Sequence, residues 1–142
     1  MTEFRVYTLP ATQGSTRAYV RGGKAVVTHD NPAKVRATRH DIAAAARAAW
    51  GDRPCLVDCP VTLTLTVYLP KPKSVKRELP YVRPDLDKLE RLIMDALTGI
   101  CYRDDAQVTD KHSRKRYAVM PGIEIGVGEV PPHAPSDACQ SE

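Results

Sequence analysis

The stretch Pro84-Asp85-Leu86-Asp87-Lys88-Leu89-Glu90-Arg91-Leu92-Ile93-Met94-Asp95-Ala96-Leu97-Thr98-Gly99-Ile100-Cys101-Tyr102-Arg103-Asp104-Asp105-Ala106-Gln107-Val108 organises the chain. Leu86, Leu89, Leu92, Ile93, Ala96 and Leu97 recur at spacings of three and four, so the segment predicts a helix with one stripe turned to a core. Pro84 stands just before its start, and Asp85 or Asp87 can cap the exposed N–H groups of the first turn. Gly99 fits the left-handed position after the last turn. Carboxylates therefore gather at both ends: Asp85 and Asp87 open the helix, and Asp104 and Asp105 follow its close.

Two explanations fit those carboxylates. The first pair can be caps favoured by the helix dipole, and the second a polar turn. Alternatively they serve a hard cation, which takes oxygen ligands and often only two or three carboxylates with water. Residues i and i+2 point the same way in an extended segment but diverge in a helix. Asp85 and Asp87 can share an ion only if Asp85 lies at or before the cap.

Pro-Asp-Leu-Asp-Lys-Leu, then Asp-Ala-Leu-Thr-Gly, then Tyr-Arg-Asp-Asp-Ala-Gln-Val, resembles the RusA family of Holliday junction resolvases. These are small, homodimeric, magnesium-dependent endonucleases of phages and bacteria. Residues 84–108 carry the resemblance closely; elsewhere it rests on element order and length. Carried over by position, it implies that Asp85, Asp87 and Asp105 are catalytic and hold Mg²⁺, for which Mn²⁺ can substitute. The family's functional lysine falls on Arg91, a departure: arginine keeps the charge and can bind phosphate, but does not titrate. Lys88 replaces the asparagine that follows the second aspartate in the family. The resemblance implies resolution of four-way DNA junctions by paired symmetric nicks, one from each subunit of a homodimer, in recombination and repair. Alternatives are a non-catalytic branched-DNA binding protein on the same fold and a nuclease of broader taste acting on forks or flaps.

Basic clusters flank the acidic helix. Lys71, Lys73, Lys76 and Arg77 precede it; Lys111, Arg114, Lys115 and Arg116 follow, with no acid inside either group. Beside carboxylates, such clusters suit a docked polyanion, while a solvated basic face is the bland alternative. Lys71, Lys73, Lys76, Arg77, Lys88, Lys111, Arg114 and Arg116 are the candidate DNA-binding residues. With no activated Ser or Cys evident, the nucleophile for phosphodiester hydrolysis is water. Arg91, one turn after Asp87, would steady the phosphate or else pair with Asp87 or Asp95.

Outward from the helix, residues 61–69, Val-Thr-Leu-Thr-Leu-Thr-Val-Tyr-Leu, alternate strictly and predict a half-buried strand with its threonines on the other face. Residues 70–83, with Pro70, Pro72 and Pro80 among lysines and arginines, predict a mobile loop that DNA would order. Residues 106–119 predict a strand with Asp110, His112, Arg114 and Arg116 on one face. Residues 122–130 predict another, paired with it across Met120-Pro121-Gly122. Residues 3–9 predict a strand, and 15–29 a hairpin turning at Gly22-Gly23. Asn31-Pro32 introduces a helix over 33–49 with Val35, Ile42, Ala45, Ala46 and Ala49 inward. Trp50 is read as a core or dimer-contact residue.

The sum is one α/β (α+β) domain over residues 1–130. It has a mixed sheet of about five or six strands and two main helices, followed by a disordered tail at 131–142. At 142 residues, 42% hydrophobic and 27% charged, the composition is that of a globular domain. No apolar run approaches the roughly 20 residues of a membrane span. The N-terminus lacks a signal peptide's apolar core, so a cytoplasmic protein without membrane partners is expected. Cys55 and Cys59 have no second pair at zinc spacing, and reduced structural thiols are expected. A net charge of +4 is mild, and its distribution says more than its size.

Overall fold

The computed structural model describes residues 1–12, 17–21, 24–28 and 32–131. In chain order the elements are β1 (Thr2–Val6), β2 (Arg17–Arg21), β3 (Lys24–Thr28), α1 (Pro32–Trp50), β4 (Val61–Leu69), α2 (Leu86–Leu97), β5 (Val108–Tyr117) and β6 (Gly122–Glu129), with a short 3-10 turn at Asp105–Gln107. Among the described residues, four strands form one mixed sheet in the order β1-β6-β4-β5, and β2 and β3 pair only with each other. The expected single sheet of five or six strands is therefore divided into four and two. Arg21 opposes Lys24, as a two-residue turn requires, although Gly22 and Gly23 themselves lie outside the described residues. The expected tail at 131–142 also lies outside them, except for Pro131.

β4 is the strand the alternation demanded: Val61, Leu63, Leu65, Val67 and Leu69 are buried, while the threonines between them are not. Both helices cover that buried side. Ile42, Ala46 and Trp50 of α1 and Leu89, Ile93 and Leu97 of α2 join the odd residues of β4 and Ile123, Ile125 and Val127 of β6 in one cluster. Burying each valine, leucine or isoleucine of this cluster contributes roughly 1.5–3 kcal/mol of transfer free energy. Trp50 belongs to this core, its indole N–H donating to the Pro54 carbonyl at 3.2 Å. On α1 the inward face is Val35, Thr38, Ile42, Ala46 and Trp50, whereas Ala45 and Ala49 are only half-buried. Thr38 can be buried because its hydroxyl lies within donating distance of the carbonyls of both Leu9 and Lys34 and can give its one hydrogen to either.

One expectation is corrected. β6 does not pair with β5. It lies between β1 and β4, antiparallel to both, while β5 runs parallel to β4 on the outer edge. Composition explains the exchange. β6 presents Ile123, Ile125 and Val127 to the core and is buried at Gly122 and Gly126 as well, which suits an interior strand. β5, Val-Thr-Asp-Lys-His-Ser-Arg-Lys-Arg-Tyr, is polar on both faces and charged, which suits an edge that must resist stray pairing. With α2 as the crossover from β4, a parallel β5 follows naturally.

The side of the sheet away from the helices is polar. There Tyr68 donates its hydroxyl hydrogen to Glu124 at 2.6 Å, and the Arg5 guanidinium lies 4.7 Å from the Tyr68 ring centre.

Candidate nucleic-acid interface

α2 is positioned by two ties to β5. Lys111 pairs with Glu90 at 3.0 Å, and the Lys115 ammonium donates to the carbonyls of Val82 and Pro84 at 2.7 and 2.9 Å. Residue 84 thus stands by residue 115 and residue 90 by residue 111, so the helix runs opposite to β5. Its N-terminal end, with Asp85 and Asp87, lies beside the C-terminal half of that strand.

Asp85 is the N-cap residue, in extended backbone (φ −72, ψ 138), and its side chain makes no capping hydrogen bond. Asp87 lies in the first turn, and both residues are exposed. The extended backbone at Asp85 is the condition the cation explanation required, and its carboxylate is not consumed by the helix end. Its near neighbour is Lys88, at 3.8 Å. Gly99 takes the left-handed conformation expected of it, φ 87.

The Asp-Asp pair divides its duties. Asp104 caps the 3-10 turn: its carboxylate accepts from the Ala106 N–H at 2.9 Å, while the Gln107 side-chain oxygen accepts from the N–H groups of Asp104 and Arg103. The Gln107 amide then donates to the carbonyls of Leu56 and Cys59, both at 3.1 Å. Asp105 is exposed, and among the described residues its side chain has no hydrogen-bond or ion-pair partner. It lies near Tyr102, whose hydroxyl donates to the Met94 carbonyl at 2.9 Å. Burial drives the Tyr102 hydroxyl's pKa above its ordinary value, and the neighbouring Asp105 charge adds to the rise.

Asp85 and Asp87 therefore share one helix end, whereas Asp105 precedes β5 at the opposite end of that strand. Among the described residues no three His, Cys, Asp or Glu side chains are grouped as an ion's ligands. In donor chemistry Asp85 and Asp87 suit a hard divalent cation completed by water. Asp105 is not grouped with them among the described residues.

Asp85 stands on the wall of a cleft of about 470 Å³. Lys34, Arg77, Arg83 and Lys88 share the wall with Pro70, Pro80, Pro84 and Tyr117. Of the predicted DNA-binding residues, Arg77 and Lys88 are therefore brought to Asp85. Arg77 donates to the Tyr117 hydroxyl at 2.9 Å, and the Lys71 ammonium lies 5.7 Å from the same ring's centre. Lys73 and Lys76 are exposed on the loop before Arg77. Lys111 is committed to Glu90. Arg114 and Arg116 share a face of β5 with His112, opposite Thr66, Tyr68 and Thr64, so they point away from α2. Arg91 is exposed, and among the described residues it forms no ion pair with Asp87 or Asp95.

Residues 70–83, expected to be a mobile loop, are held instead. Pro80 is buried, Val75 bonds back to the Pro72 carbonyl, and Lys115 grips the segment from β5. Sequence reading missed Lys34 and Arg83 as cleft residues and Lys115 as the strut. The signal for Arg83 was its place two residues before Asp85; Lys34, on α1, had none.

Residues 10–128 match the family model described as Endodeoxyribonuclease RusA. The chain is also similar to the "Uncharacterized protein YqaN" of Bacillus subtilis (strain 168), 34% identical over 141 residues, covering 90% of this chain and 96% of that one.

Proposed function

From the premise that this chain belongs to the RusA endodeoxyribonuclease family, we propose that it resolves Holliday junctions by Mg²⁺-dependent hydrolysis, as a homodimer making paired symmetric nicks. The observation that carries the proposal is the placement of Asp85 and Asp87. Two exposed carboxylates stand at the end of α2 beside a cation-lined cleft, and the Asp85 side chain is not spent on capping.

The division of labour follows from position. Arg77, Arg83, Lys34 and Lys88 line the cleft that Asp85 enters, and would bind the phosphates to either side of the bond to be cut. Lys115 holds the carbonyls of Val82 and Pro84 and thereby sets where the Asp85 backbone begins. Arg91, exposed one turn beyond Asp87, would steady the scissile phosphate or the departing oxygen by charge and by its planar array of N–H donors. A divalent ion held by Asp85 and Asp87 would supply a water of lowered pKa and neutralise charge on the phosphate; Asp105, on which the family's third aspartate falls, is not grouped with them in the single chain. A four-way junction has two-fold symmetry, so a C2 dimer can present one site to each of two strands of like polarity. Recognition then rests on branch shape and phosphates more than on base edges.

A second reading, a branched-DNA binding protein that does not cut, is favoured by Arg91 in the position of the family's lysine and by Asp105 standing apart from Asp85. Labelled four-way junction, fork, flap and plain duplex, incubated with Mg²⁺ or with a chelator, separate the possibilities. The proposal expects Mg²⁺-dependent paired nicks in the junction. Salt-sensitive binding with no cut under any divalent ion would establish the second reading, and cutting of forks and flaps at the junction's rate would establish a broader nuclease.

A further inference from the structure

The segment before Asp85 forms a ridge with an aromatic crest. Tyr81 is 78% exposed and its neighbours Leu79 and Val82 are 50% and 42% exposed, although all three are residues that burial would favour. The ridge is fixed from below. Pro80 is buried between them, the Tyr81 N–H donates to the Leu79 carbonyl at 2.9 Å, and Lys115 holds the carbonyls of Val82 and Pro84. The Arg77 guanidinium lies 5.4 Å from the centre of the Tyr81 ring, close enough to orient it while leaving the ring largely open.

Both flanks of the ridge are basic. On one side lies the cleft with Arg77, Arg83 and Lys88; on the other is a groove shared by Tyr81 and Leu79 with His112, Arg114 and Arg116. A small apolar crest between two cationic channels matches one chemistry well. Phosphates lie along the channels and a base lies on the crest, because every base has a face that can stack on an aromatic ring. Continuous duplex offers no free base face. A branch point does, where the helices part and a terminal base pair loses its stacking neighbour.

Resting on the nuclease reading above, we infer that Tyr81, supported by Leu79 and Val82, stacks on the base pair exposed at the branch point, and so gives the protein its preference for branched over linear DNA. Tyr81 lies four residues before Asp85. Docking the crest at the branch therefore places a strand phosphate in the cleft that Asp85 lines.

The test uses the full chain and binding in chelator, where nothing is cut. A four-way junction carrying 2-aminopurine in the pair next to the branch is compared with a duplex of the same arm sequence, for wild type, Tyr81→Ala and Tyr81→Phe. Loss of one base–aromatic stack should weaken junction binding by about tenfold to a hundredfold for Tyr81→Ala, and should abolish the fluorescence change at the branch. Duplex affinity should stay within about twofold, and Tyr81→Phe, which keeps the ring, should behave as wild type. Tyr81→Ala retaining the wild-type preference and fluorescence change would overturn the inference alone. So would a Tyr81→Ala protein that sediments as a monomer where wild type is a dimer, which would make the crest a protein–protein contact. A wild-type protein with no preference for the junction overturns this inference and the nuclease reading together.

Discussion

Gln107 offers a severe test of how the Asp104–Asp105 turn is built. Its side chain makes four hydrogen bonds, accepting from the N–H groups of Arg103 and Asp104 and donating to the carbonyls of Leu56 and Cys59. The two donated bonds are partly buried and join segments far apart in sequence, so each is worth roughly 0.5–1.5 kcal/mol. The two accepted bonds lie at exposed amides that water can satisfy, and add a few tenths at most. Gln107→Ala should therefore destabilise the protein by about 2 kcal/mol, or roughly 6–10 °C in Tm for a domain of this size. Gln107→Glu should cost at least as much, because it keeps the acceptor oxygen but turns a carboxylate toward two carbonyls that have lost their donor. Trp50, the single tryptophan, is buried and reports unfolding in urea directly. If both variants unfold within about 0.5 kcal/mol of wild type, the turn does not depend on this side chain and the account of Asp105's placement is wrong.

Asp87→Asn should leave junction binding nearly unchanged and reduce Mg²⁺-dependent nicking by at least about a hundredfold, roughly the lower end of what a positioned catalytic group supplies; a mutant that nicks at the wild-type rate would remove Asp87 from the chemistry. Ile93→Ala, at a fully buried position of α2, should cost about 3 kcal/mol in urea unfolding. Burial pushes the Cys101 thiol from its ordinary 9.0 up to about 11, so the native state keeps a proton that the unfolded chain gives up first. That contribution to stability is whole below pH 9 and is lost as the pH climbs through 11, on the order of 1–2 kcal/mol; urea midpoints at pH 8 and pH 10.5, compared between wild type and Cys101→Ala, should show it.

Local patterns were legible where one physical demand dominated. Strict alternation in Val61–Leu69 could mean only a one-sided strand, and the apolar stripe of Leu89, Ile93 and Leu97 could mean only a helix on a core. What escaped was pairing. β5 and β6 are neighbours in sequence and look like a hairpin, yet the apolar faces of β6 require the interior and the charges of β5 require the edge. At the candidate site, Asp85 and Asp87 were readable because they share a short motif. The separate duties of Asp104 and Asp105 were not, since they turn on which carboxylate meets the Ala106 N–H. Lys34 reached the cleft through tertiary packing of α1, to which no spacing along the chain refers. The supposed arm at 70–83 showed composition alone; its tethering depends on Lys115, far along the chain.

The place of β6 also governs when the molecule can come into being. Among the described residues, β1 bonds only to β6 within the four-stranded sheet, with Thr2 opposite Val127 and Val6 opposite Ile123. On the ribosome, β1 must wait for β6 before it has this partner, with apolar residues of β4 and α2 uncovered meanwhile. Closure over so long a separation is entropically slow, so nascent chains cut short before residue 122 should be captured by chaperones or proteases rather than fold.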